Sequence, residues 1–137
     1  MFGLRTAALA AAAIVLAGCG GGEGDDRKAV EQTVIDYYVA FSADDRDRAC
    51  DRLSITARDQ LIQETRQKDC PAGIARARED PQIKQYLPGL AKVKVEKVEI
   101  DGNTATAEVK GLGASSSVPL VKEGDSWKIG ALGEAGE

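Results

Sequence analysis

At 137 residues the chain has room for one domain, and it contains no histidine, which removes histidine-based acid–base catalysis and most zinc and iron sites. Its formal charge of −4 gives no basic footprint for nucleic acid. A hydrophobic content of 43% excludes a wholly disordered chain, and an aromatic content of 4% demands a core of small aliphatic side chains.

The first element is a leader. Arg5 supplies a positive charge ahead of Ala7–Gly18, an uninterrupted run of twelve small or apolar residues. A bilayer-spanning helix needs roughly 17–25 such residues, so the run reads as an export signal. It ends Leu16-Ala17-Gly18-Cys19, which resembles a bacterial lipobox. That resemblance implies removal of residues 1–18, acylation of the Cys19 thiol and a lipid anchor on the extracytoplasmic face of the cell membrane. Two acyl chains on Cys19 suffice for stable anchoring. The alternative is an ordinary secretory signal with an incidental cysteine. Residues 19–26 are rich in glycine and acid and predict a flexible tether with a reach of roughly 16 Å.

Residues 27–43 carry the clearest helical period. Val30, Val34, Tyr37, Tyr38 and Phe41 form one apolar stripe, and Asp25 or Asp26 suits the cap. Short helices are expected over 46–52, with Ala49, Cys50 and Leu53 inward, and over 55–65 behind a Ser54 cap. A further helix opens at Cys70-Pro71 and ends near Asp80-Pro81. Pro81 and Pro88 bracket an expected loop or short turn. With Cys19 set aside, Cys50 and Cys70 remain, and two cysteines in an exported chain suggest one disulfide. Two buried free thiols are the alternative.

After Leu90 the period changes to two. Four strands are predicted over 91–100, 103–111, 115–122 and 126–131. Val93 and Val95 are out of phase with Val98 and Ile100, so a bulge at Glu96-Lys97 is needed to return both pairs to the core. Asp101-Gly102 and Glu123-Gly124-Asp125 are turn signals. Residues 132–137 read as a frayed tail. The layout is α+β, with helices packed on one face of a curved four-stranded antiparallel sheet over 27–131. The late lysines 92, 94, 97, 110, 122 and 128 chiefly guard strand edges against pairing, with a lipid-headgroup patch as their functional alternative.

Chemical motifs are few. Gly111-Leu112-Gly113 is followed by no helix, which rejects a nucleotide loop. Asp44-Asp45-Arg46-Asp47 lacks the glycine and distal glutamate of a calcium loop. No cofactor or metal is expected.

An aromatic helix ending in a small, acidic turn (Tyr38-Val39-Ala40-Phe41-Ser42-Ala43-Asp44-Asp45) precedes short helices and a meander closing on Trp127-Lys128-Ile129. This order resembles the NTF2-like, cone-shaped superfamily, which includes ketosteroid-isomerase-like enzymes and many non-catalytic modules. The cysteines of Ala49-Cys50 and Asp69-Cys70-Pro71 are similar to those of NTF2-like lipoproteins from high-GC bacteria. The resemblance implies a cone with Tyr37, Tyr38, Phe41 and Trp127 as candidate pocket residues. Isomerase-like members use a tyrosine of the first helix as an oxyanion donor, which Tyr38 matches, together with a carboxylate base. Asp51 is the one nearby candidate for that base and sits in a surface-like context. The expectation is therefore a non-catalytic, lipid-anchored module that binds a small apolar ligand or an envelope protein. A structural or stress-related module without ligand, or an isomerase- or dehydratase-like enzyme using Tyr38, is the alternative.

Overall fold

The computed structural model describes residues 22–112 and 116–132. Cys19 and the leader lie outside them, as do 133–137 of the expected tail. The order is six helices, α1 Gly22–Ser42, α2 Arg46–Asp51, α3 Ile55–Thr65, α4 Cys70–Arg78, α5 Pro81–Lys84 and α6 Leu87–Leu90, then β1 Lys94–Asp101, β2 Thr104–Lys110, β3 Ser116–Glu123 and β4 Ser126–Ile129. The strands form one antiparallel sheet in the order β1-β2-β3-β4, and β4 does not return to pair with β1. The α+β reading holds at this level. No helix among the described residues is long and apolar enough to cross a membrane.

α1 packs on β1, β4 and β2. Its stripe is buried as the spacing predicts: Val30, Val34, Tyr37 and Phe41 lie in the core and Tyr38 is half-buried against it. The helix begins earlier than its apolar period. Residues 22–26 of the expected tether are helical, and Asp25 and Asp26 lie inside the helix instead of capping it. Two effects favour this over a Gly-rich coil. Acids in the first turns complement the positive end of the helix dipole. Asp26 is also held by hydrogen bonds to β3 and β4, a tertiary contact that outweighs weak local propensity.

Each middle helix starts on an oxygen cap. Asp45 accepts from Arg48 N, Ser54 from Ala57 N, and Asp69 from Ala72 N. Such caps satisfy amide donors left free by the first turn and contribute about 1 kcal/mol each. The segment expected as a loop between Pro81 and Pro88 holds two short helices instead. Asp80 caps the first, and a proline in the first turn suits both.

The sheet follows the alternation. Ala105, Ala107 and Val109, then Val118 and Leu120, then Trp127 and Ile129 are buried. β1 starts at Lys94 rather than 91, because residues 87–90 are helical and 91–92 form a turn. The register with β2 shifts between Val95 and Lys97, which places the expected bulge at Glu96 and leaves Val95 and Val98 on one face. Both hairpins close through glycine at positive φ: Gly102 and Gly124 each have φ 60° at the first loop position. A side chain with Cβ is strained there, whereas glycine is not.

The β4 edge is covered. Ile129 N donates to Arg52 O at 2.8 Å, Ser54 N donates to Ile129 O at 2.9 Å, and Leu53 forms a parallel bridge with Ile129. Past the end of β4, Gly130 N donates to Pro119 O, and Leu132, the first residue of the expected tail, exchanges backbone hydrogen bonds with the Gln60 side-chain amide.

Candidate functional site

The aromatic residues of α1 fall on one side of its last three turns. The Tyr37 and Tyr38 rings lie 5.2 Å apart edge-on, and the Tyr37 and Phe41 rings 6.0 Å apart. These distances suit favourable aromatic pairing within a packed core. Burial raises the pKa of both phenols, Tyr38 to about 12 and Tyr37 further still.

Trp127 goes elsewhere. Its carbonyl lies 3.2 Å from the Thr33 hydroxyl, one turn before Tyr37, but its indole turns toward the start of α1. There Nε1 donates to Asp26 Oδ1 at 3.0 Å, and Lys122 Nζ donates to the same oxygen at 3.3 Å while lying 5.8 Å above the indole. The Trp127 hydrogen bond, then Lys122, holds the Asp26 carboxyl below its ordinary range. Of the four candidate pocket residues, three cluster on α1 and Trp127 forms a separate clamp with Asp26 and Lys122.

Two surface cavities stand out. One, of about 260 Å³, is lined by Trp127 with Thr33, Asp36, Arg52 and residues of the β3–β4 turn. The other, of about 400 Å³, lies between the ends of α3 and α4 and is lined by Glu64, Arg66, Arg76 and Asp80 among others. Tyr37, Tyr38 and Phe41 line neither.

The acid nearest in sequence to the tyrosines is Asp36, and arginines occupy it. Arg52 Nη2 lies 3.2 Å from Oδ2 and Arg48 Nη2 lies 3.5 Å from Oδ1, which also accepts from Gln32. The Arg52 Nε is buried without a partner among the described residues. Asp51 is exposed at the end of α2, and its carbonyl accepts from Lys128. Sequence reasoning missed the Asp36–Arg52 pair and the Asp26 clamp. The first links residues sixteen apart across a helix break and the second spans about a hundred residues, so neither leaves a periodic signal.

Cys50 and Cys70 form a disulfide with Cα atoms 6.0 Å apart, within the range that needs no backbone distortion. Both cysteines are buried, and the bond ties α2 to the first residue of α4. Among the described residues no three His, Cys, Asp or Glu side chains converge as a metal site requires. No family model matches this sequence, and comparison with curated proteins and with solved structures finds no match.

Proposed function

We propose that this chain is a lipid-anchored, extracytoplasmic lipoprotein whose NTF2-like domain is a non-catalytic binding module, and that it binds a protein of the envelope through its surface. The signal ending at Cys19 supports the address. The Cys50–Cys70 disulfide supports it independently, since such bonds persist in oxidising compartments.

The observation that carries the non-catalytic reading is the setting of Tyr38. The acid two residues before it, Asp36, is committed to Arg48 and Arg52, and Asp51 is exposed at the end of α2. General acid–base catalysis needs a titratable group free to reach the reacting proton. Between an apolar ligand and a protein partner, the packing favours the partner. Val34, Tyr37 and Phe41 belong to one continuous buried core with Ala107, Val109 and Leu120, and the two cavities open at the polar surface. On the outer face of the sheet, Glu99, Thr106 and Pro119 lie side by side across three strands, all exposed.

A photo-crosslinking residue at position 106 in the full-length protein, in its native membranes, tests the partner. A discrete protein adduct that a residue placed at position 63, on the exposed side of α3, does not give is expected. Equal labelling from both positions overturns the reading. Catalysis is tested by exchange of α-protons of an enolisable ketone in D2O. Exchange above background in wild type, abolished in Tyr38→Phe, would establish the enzyme alternative instead.

A further inference from the structure

α1 runs the length of the domain, and side-chain hydrogen bonds fix both of its ends. Near its start, Asp26 accepts from Trp127 and Lys122, which flank the β3–β4 turn. Lys122 N donates to Asn103 O at 2.8 Å, which brings the β1–β2 turn to the same end. At the other end, the Ser42 hydroxyl donates to Leu87 O at 3.0 Å and Arg78 Nε donates to Phe41 O at 2.8 Å. The start of β1 follows α6 there, and Lys94 pairs with Lys110 at the end of β2. Twenty-one helical residues separate the two ends by about 30 Å.

Cys19 stands three residues before Gly22. Three residues span at most about 11 Å even when fully extended. An acyl chain on Cys19 therefore holds the bilayer within that reach of the first residue of α1, a step that rests on the lipoprotein reading above. The helix cannot swing away from the sheet at this point, because the Asp26 clamp joins it to the β3–β4 hairpin.

We propose that the hairpin-turn end of the domain, Asp101-Gly102-Asn103 and Glu123-Gly124-Asp125 beside the start of α1, is the surface that faces the lipid headgroups. The two turns of this end carry the polar residues Asp101, Asn103, Glu123 and Asp125, and the exposed Ile55 lies beside them, its N–H donating to Glu123 Oε2 at 3.1 Å. Lys92, Lys94 and Lys110 are at the opposite end, about 30 Å away. Attraction of lysine to anionic headgroups fades within a Debye length, roughly 8 Å at physiological salt. These three lysines therefore do not hold the domain to its own bilayer, and the α6–β1 corner is presented outward.

The test uses full-length, lipidated protein in vesicles with an acceptor dye on the lipid headgroups. A donor dye is attached in turn through Asn103→Cys and Lys92→Cys, both at exposed turn positions whose side chains make no hydrogen bond among the described residues. Energy transfer from position 103 is expected to exceed that from position 92 several-fold. Equal transfer, or stronger transfer from position 92, overturns the orientation while leaving the anchor intact. Vesicle flotation of the same samples separates the two claims: wild type that fails to float removes the anchor and the orientation with it. Flotation of wild type and loss of flotation in Cys19→Ala confirm that the transfer is read from anchored protein.

Discussion

Asp26 joins three parts of the chain through one oxygen, the start of α1, the Trp127 indole and the Lys122 ammonium. Because its ionisation is shifted down on folding, its stabilising contribution is complete above the ordinary carboxylate range. It is lost as the pH falls through the lower, folded-state value. Asp26→Asn should therefore be less stable than wild type at pH 7, and the gap should close from roughly pH 4 downward. Denaturant unfolding of both proteins at pH 7, 5 and 3 checks this, and a gap of constant size would show that charge is not the cause. Arg66 offers the opposite case. It ends α3 with φ 56°, a left-handed conformation in which an L side chain crowds the backbone. Its side chain is exposed and forms no hydrogen bond or ion pair among the described residues. Arg66→Gly should raise the unfolding free energy by about 0.5–1 kcal/mol, the steric relief being partly offset by the freer unfolded chain. A thermal melt that falls instead of rising would show that Arg66 contributes through its side chain.

At the scale of elements, the short helices depend on their links more than on their length. Helices of four to nine residues do not persist alone. α2 and α4 are joined by the Cys50–Cys70 bond, and Arg78 of α4 reaches the last carbonyls of α1. The disulfide closes a loop of 20 residues, for which chain entropy gives about 3 kcal/mol. Reduction should lower the unfolding free energy by about that amount, read as the difference between denaturation curves with and without reductant. Helix content should fall more than sheet content in circular dichroism, since β1–β3 make their own ladder. A reduced protein with an unchanged midpoint would mean that packing of Ala49, Leu53 and Ile74 holds α2 and α4 without the bond.

For the whole molecule, the address and the fold rest on different parts of the chain. Under the proposed anchoring, Cys19→Ala should leave uncleaved precursor or move the protein to the soluble fraction, read by fractionation and gel mobility. A variant that fractionates and migrates like wild type would remove the anchor. The domain should fold equally well in that variant, because its core draws on residues from Val30 onward.

The sequence by itself determined the class of the fold and most of its punctuation. The α1 stripe, the Ser54 cap, the alternation of Ala105, Ala107 and Val109, the bulge beside Glu96 and the two glycine turns were all legible. Each is a local rule, set by a period or by the φ of one residue within a few positions. The cysteine pair was legible by counting. Tertiary structure alone decided the rest. It extended α1 back to Gly22 through the Asp26 clamp and held Gly130 and Leu132 against β3 and α3. It also set the Trp127 indole on Asp26 and gave Asp36 to Arg52. These outcomes turn on hydrogen bonds between residues far apart in the chain, which form only once packing has brought their partners together, so no local pattern encodes them.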